Sequence, residues 1–333
     1  QIPGLLGTTQ DPDDFNVTFH HTQADVATGN LPISSPYTNS NTTETIFARI
    51  QHKATFCVND DATFDLIVNP LPDFTVTSPQ ILCLNDTPLT IAVENPSAIY
   101  TYEWRNAAGN LISTNEDTAI TTGGNYTVTA TTTNGTNCTR AETIVVTESN
   151  PAVLNASFVT IVDEGNNIGS ENNLSILIDT VNNNLGLGDY QFALRNDDEN
   201  TTTLFQDAPI FEDLEGGIYT IIVKDKNGCA PDATLQVSVI QFPKFFTPNG
   251  DGKNDTWIIK GANKTFYPNA SINIFNRFGK LVAQLPIDGQ GWNGTYNGKK
   301  LSSDDYWFHI TLIPADTSKP TVHKKGNFSL LRR

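Results

Sequence analysis

Short segments in which apolar and polar residues alternate recur along this chain. Successive side chains of a β-strand point to opposite faces of a sheet, so a period of two predicts half-buried strands. Clear examples are residues 15–19, 45–50 and 62–68. No long amphipathic helix is apparent. The pattern therefore predicts an all-β fold.

The length of 333 residues exceeds what one hydrophobic core usually serves, and turn-rich stretches predict four modules. The first, 1–70, is expected to be a partial β-sandwich repeat that is truncated at its N-terminus, since the chain starts at Gln1 inside a module. It ends at the proline-rich segment 69–72, because proline cannot continue a central strand. The remaining boundaries are predicted at 71–149, 150–241 and 242–333.

An internal repeat supports this division. Residues 216–229 parallel residues 123–138, each reading as a turn, a strand with a buried Tyr, a hairpin and a Cys. The order Cys83, Trp104, Cys138 is similar to that of immunoglobulin domains. These observations predict tandem immunoglobulin-like β-sandwich modules, similar to the repeats of bacterial adhesins, in a chain expected to be a monomeric rod.

Charge is distributed unevenly. Residues 1–241 hold 7 Lys and Arg against 30 Asp and Glu, whereas residues 242–333 hold 13 against 6. The net charges are thus −23 and +7, giving −16 for the chain. An acidic region repels nucleic acid, while a basic end could be steered to an acidic partner or a lipid surface. Ordinary surface charge is the alternative.

The four cysteines are too few for a disulfide-rich scaffold. We expect Cys83 and Cys138 to pair, because they fall at the two ends of one predicted sandwich. We expect Cys57 to bond a cysteine preceding Gln1, and Cys229 to be a free, buried thiol.

A glycine-rich loop at 249–255 offers side-chain oxygens at Asn249, Asp251, Asn254 and Asp255. Calcium prefers such oxygen ligands, although Lys253 and the lack of a closing Glu depart from the EF-hand pattern. The alternative is a loop held only by side-chain-to-backbone hydrogen bonds. No other cofactor is expected.

Neither the scattered histidines nor the acidic residues form a recognisable catalytic or metal motif, so we do not expect an enzyme. Most aromatic residues of the last module are expected to pack in the core. Because side chains alternate along a strand, one of residues 306–308 can face away from the others and be exposed. At the chain's end, residues 324–333 place an apolar strand between basic flanks. A receptor could read this segment by strand addition, or it could be a solubilised edge strand.

The last 90 or so residues resemble a known family, the gliding-motility-associated C-terminal domain, which is the type B sorting domain of Bacteroidetes type IX secretion. The resemblance rests on the order of several motifs: residues 245–257, 272–280, 291–294, 305–308 and 325–332. The recognition residues it implies are Lys325, Gly326, Asn327, Phe328, Ser329, Leu330, Leu331 and Arg332.

This resemblance implies a small antiparallel β-sandwich that directs the folded protein through the outer-membrane type IX translocon. It also implies retention at the cell surface by an outer-membrane partner, with the upstream modules as the stalk of an adhesin. The alternatives are a carbohydrate-binding module and the non-catalytic tail of an exported hydrolase.

Overall fold

The computed structural model describes residues 2–7, 9–165 and 173–332. The fold is all-β, with two short α-helices, α1 (Ile2–Leu6) and α2 (Gln23–Thr28), and 3-10 turns at Pro12–Asp14 and Ala156–Phe158. None of the described helices is long and apolar enough to cross a membrane. The chain divides into two compact units, one of Gln1–Ser78, Thr90–Thr118 and Gly124–Val145, the other of Pro79–Leu89, Ala119–Gly123 and Val146–Arg333.

The first sheet is antiparallel and contains β1 (Phe15–His20), β2 (Thr43–His52) and β3 (Val58–Ile67), in that order. Helix α2 contacts this sheet and buries Val26. Arg49 of β2 donates to the carbonyl oxygens of Val26 and Ala27, both at 2.9 Å. A cation there satisfies carbonyl groups that have no partner within the helix.

Seven strands follow: β4 (Gln80–Cys83), β5 (Leu89–Ala92), β6 (Tyr100–Arg105), β7 (Leu111–Ser113), β8 (Asp117–Ile120), β9 (Gly124–Thr132) and β10 (Thr139–Ser149). They form one sheet in the order β4-β10-β9-β6-β7 and a second from β5 and β8. Trp104 is fully buried, and its indole N–H donates to the Asn115 carbonyl.

The next strands are β11 (Val159–Val162), β12 (Leu174–Ile178), β13 (Tyr190–Asn196), β14 (Thr201–Thr202), β15 (Ile210–Leu214), β16 (Gly217–Asp225) and β17 (Ala233–Val239). They form two sheets, β11-β12-β15 and β14-β13-β16-β17, which share one apolar core. Tyr126 of β9 and Tyr219 of β16 are both buried, as the internal repeat predicted.

The last strands are β18 (Phe245–Phe246), β19 (Asn269–Phe275), β20 (Leu281–Leu285), β21 (Thr295–Tyr296), β22 (Lys299–Lys300), β23 (Asp304–Ile313) and β24 (Val322–Leu330). The main sheet has the order β18-β24-β23-β19-β20, and β21 pairs with β22. All pairs are antiparallel except β18 with β24, which is parallel. Gly279 has a positive φ, 76°, in the hairpin between β19 and β20.

The disulfide prediction is wrong. Cys83 bonds Cys229, while Cys57 and Cys138 are free. Cys83 lies beside Ser149 in the β4–β10 pairing, whereas Cys138 precedes the other end of the eleven-residue strand β10. At about 3.3 Å per residue, that strand is roughly 35 Å long. A disulfide needs Cα atoms within about 7 Å, so Cys83 cannot reach Cys138.

Candidate functional site

Strand β24 contains most of the predicted recognition residues, and it lies inside the last sheet rather than at its edge. It pairs with β23 along nine residues, with Phe328 opposite Tyr306 and Gly326 opposite Phe308. On its other side, β18 covers only Ser329 and Leu330. The stretch His323–Asn327 has no neighbouring strand on that side among the described residues.

One face of β24 belongs to the hydrophobic core. Phe328 and Leu330 are buried, and the Phe328 ring stacks on Trp257 with centroids 4.3 Å apart. A Cβ atom at Gly326 would lie 2.6 Å from the Phe308 ring, so only glycine fits there. These three side-chain positions are occupied by packing and are not open to a receptor in the folded domain.

Arg332, which follows β24, is hydrogen-bonded to the body of the domain. Its Nε donates to the Leu301 carbonyl at 2.9 Å, and its Nη2 donates to the Asn293 and Gly294 carbonyls at 3.0 Å. Its backbone N–H also donates to Ser303 Oγ at 2.8 Å. A guanidinium group has several donors in a fixed plane, which suits three converging carbonyl groups.

The opposite face of β24 is open. Lys325, Asn327 and Leu331 are exposed, while Ser329 is half-buried and donates to Asp305. In the pairing of β23 with β19 and β24, the exposed Trp307 lies between Asn327 and Phe275, and His309 lies beside Lys325. Phe245 lies beside Ser329 and is also exposed. We call this surface the outer face and define it by Phe245, Phe275, Trp307, His309, Lys325 and Asn327.

The aromatic residues thus divide between two roles. Trp257, Trp292 and Tyr306 are buried, as the core interpretation predicted. Trp307 is 42% exposed, which makes it the outward-facing member of the alternating segment 306–308. The exposure of Phe245 was not predicted, since its position next to the buried Phe246 becomes informative only with the β18–β24 register.

The loop at 249–255 is closed by its own hydrogen bonds. The two carboxylate oxygens of Asp255 accept from the N–H groups of Gly250 and Gly252 at 2.7 and 2.8 Å. Asp251 accepts from the Lys253 N–H at 2.8 Å and from the Asn249 amide at 2.8 Å. These bonds hold the pKa of Asp251 below its usual value, and the hydrogen bond from the Asn249 amide has the largest effect. In the described part of the chain, no group of three or more His, Cys, Asp or Glu is arranged to hold a metal ion.

The last domain is joined directly to the sandwich before it. Buried carboxylates of Asp163 and Glu164 accept from the backbone N–H groups of Ile240 and Phe242 at 2.9 and 2.8 Å. Both Ile240 and Phe242 pack in the core of the last domain. An ion pair between the half-buried Lys260 and the exposed Glu215, 2.6 Å, spans the same junction.

Two family models match parts of the chain. Residues 240–330 match the CHU_C type IX secretion signal domain, and residues 2–72 match the Flavobacterium inter-domain disulphide bond domain. The second match was not predicted from the sequence. A search of curated proteins found no match.

Three solved structures that this chain matches are distant from it in sequence. Sidekick-1 immunoglobulin domains 1–5 are 11% identical, with coverage of 96% of this chain and 74% of theirs and a TM-score of 0.31. Two fibronectin type III domains of chicken tenascin are 14% identical, with coverage of 50% and 98% and a TM-score of 0.26. A Bacteroides ovatus SGBP-B structure in complex with a mixed-linkage heptasaccharide is 18% identical, with coverage of 79% and 69% and a TM-score of 0.19.

Together these findings define a chain of β-sandwich modules that ends in a folded secretion signal. The resemblance seen in the sequence is confirmed: a type IX secretion signal domain stands at the C-terminal end, and a Flavobacterium inter-domain disulphide domain stands at the N-terminal end. The signal implies interaction with the secretion system and a cell-surface or extracellular destination.

Proposed function

We propose that the last domain directs export through the type IX translocon by presenting its outer face, and that it is not read as a linear peptide. The observation that carries this proposal is the division of β24. Phe328 and Leu330 are buried in the core, whereas Lys325 and Asn327 are exposed beside Trp307. In the folded domain, a receptor can contact only the second group.

The partner chemistry we propose is an acidic surface with an apolar depression. The outer face combines the exposed aromatic rings of Trp307 and Phe245 with the cation of Lys325. The region 242–333 has a net charge of +7, so an acidic outer-membrane protein would be attracted to it. The same contact would retain the exported protein at the outer membrane.

The upstream modules, divided at residues 70, 149 and 241, are proposed to be the stalk of an adhesin. Their net charge of −23 favours solubility. Cys57 is the only cysteine within 2–72, and it is exposed and free. We propose that it bonds another module of a longer protein, in keeping with the description of the domain it belongs to.

The test is surface display of a fluorescent reporter fused to residues 150–333, in a bacterium with the type IX machinery. This fragment retains Asp163 and Glu164, which hold the start of the signal domain. We expect display by the wild-type fusion and its loss in a Trp307→Ala, Lys325→Glu variant. The matched control is Lys299→Glu, which makes the same charge change on the exposed strand β22.

Display of the Trp307→Ala, Lys325→Glu fusion at wild-type level would refute recognition through the outer face. Absence of display by the wild-type fusion would refute the export function itself. Circular dichroism of each purified fusion separates lost recognition from lost folding.

Carbohydrate binding is a second candidate function, because Trp307 is exposed on a sheet face with His309 and Asn327 near it. Trp292 is buried and is not available to a sugar. Glycan-array binding that disappears in Trp307→Ala would support this function, and an array without signal would exclude the glycans printed on it.

A further inference from the structure

The disulfide between Cys83 and Cys229 closes a very large loop. Cys83 is the last residue of β4, and Cys229 lies in the turn between β16 and β17. Their sequence separation of 146 places 145 residues inside the loop. The loop contains strands β5 to β16, that is, most of two sandwiches.

Several hydrogen bonds lie around the Cys83–Cys229 disulfide. Asp225, which is buried, accepts from Ser149 Oγ at 2.7 Å and from the Cys229 N–H at 3.3 Å. Asn85, two residues after Cys83, donates to the Ala230 carbonyl at 2.7 Å. The two cysteines are therefore fixed next to each other by several independent contacts.

We infer that this disulfide is a mechanical bypass, a covalent bond that carries tension past the residues between its two cysteines. When the chain is pulled from its two ends, tension follows covalent bonds along the shortest path. That path runs from residue 1 to Cys83, crosses the sulfur–sulfur bond, and continues from Cys229 through β17 into the last domain. Residues 84–228 lie outside it, so tension cannot extend them while the bond is intact.

Two consequences follow from this path. The sandwich strands inside the loop keep their native pairing under loads that would extend an unbridged chain of the same fold. The maximum length of the chain under load also falls by about 50 nm, since 145 residues extend by roughly 3.3–3.6 Å each. The biological use of this property rests on the proposed function, in which the last domain holds a stalk at the cell surface.

The test is extension of the purified 333-residue chain by optical tweezers, with handles attached to peptide tags at both ends. We expect the wild-type chain without reductant to release about 50 nm less contour length on complete unfolding than the same chain with reductant. Cys83→Ser should release the longer length in both conditions. A Cys57→Ser, Cys138→Ser double variant is the matched control and should behave as wild type, because both residues are free thiols.

Equal contour lengths with and without reductant would overturn the bypass, and so would a short contour length in Cys83→Ser. Because the chain is pulled outside the cell, this result is independent of whether the last domain is an export signal.

A second measurement does not need the cysteine variants. A protease site inserted in the exposed turn 133–137 lies inside the loop, and one inserted at 40–42 lies before it. After cleavage, a denaturing gel without reductant should show the first chain as one species and the second as two. Separation of the first chain into two fragments without reductant would contradict the bond.

Discussion

Residues of strand β24 differ in role according to the side of the strand on which they lie. The motif residues Gly326, Phe328 and Leu330 determine the packing of the domain, whereas Lys325 and Asn327 contribute little to it. Alternation along the strand separates the two groups, and the burial of Phe328 and Leu330 shows which group faces the core.

This division predicts different effects of substitution on stability. Phe328→Ala should lower the free energy of unfolding of residues 150–333 by about 3–5 kcal/mol, because it removes a buried ring that stacks on Trp257. Lys325→Ala, an exposed position three residues away, should change it by less than about 0.5 kcal/mol. Chemical denaturation measures both, and similar losses would show that the two faces are not distinct.

Protonation of Asp251 should loosen the loop at 249–255. Its folded-state pKa is lowered from the ordinary value of 3.8, so its contribution to stability is complete above that value and is lost as the pH falls through the lower folded pKa. We expect amide exchange at Lys253 to show reduced protection there, since that N–H donates to Asp251. An NMR titration giving Asp251 a pKa at or above 3.8 would contradict this.

Calcium should have little effect on the same loop. Both oxygens of Asp255 already accept backbone N–H groups, and an ion would have to replace those bonds. We therefore expect equal melting temperatures in calcium and in chelator. A higher melting temperature in calcium that disappears in Asp251→Ala would instead establish a calcium site.

At the scale of elements, the start of the last domain depends on the sandwich before it. The pattern of the sequence placed the boundary at 242, yet Ile240 packs in the core of the last domain. The alternation of apolar and polar residues could not reveal this, because a strand and the linker that continues it have similar sequence patterns. The carboxylates that hold the linker, Asp163 and Glu164, are nearly eighty residues earlier in the sequence.

Glu164→Ala should lower the stability of the 150–333 fragment by about 1–3 kcal/mol, because it leaves the buried Phe242 N–H without an acceptor. Glu164→Gln keeps an oxygen at that position and should recover most of the loss. Thermal unfolding checks both. If the Gln and Ala variants were equally destabilised, charge rather than hydrogen bonding would hold the linker.

Much of the fold could be predicted from the sequence. The all-β class and the buried tyrosines of the internal repeat, Tyr126 and Tyr219, follow from local patterns, and these patterns are physical preferences of single strands and turns. The parallel pairing of β18 with β24 and the Cys83–Cys229 bond depend on contacts between distant segments. Periodicity carries no information about which distant segments meet, and a repeat of similar modules favours pairing within a module.

At the scale of the whole molecule, the four cysteines should fall into two classes. We expect two titratable thiols in the native chain without reductant, with Cys57 reacting faster than Cys138 because it is more exposed. Mass spectrometry after alkylation should find labels on these two residues, and peptides of Cys83 and Cys229 should remain joined. A label on Cys229 in the native, unreduced chain would contradict the structure.

The parallel pairing of β18 with β24 places the first and last strands of the signal domain side by side, and Arg332, which follows β24, is bonded to three carbonyl groups of the domain body. During synthesis, this domain cannot close until β24 has left the ribosome. A prematurely terminated product lacks β24 and cannot assemble the outer face. Translation that stops before β24 therefore yields a chain without a complete signal domain, and a cell that exports by this domain would leave such copies behind.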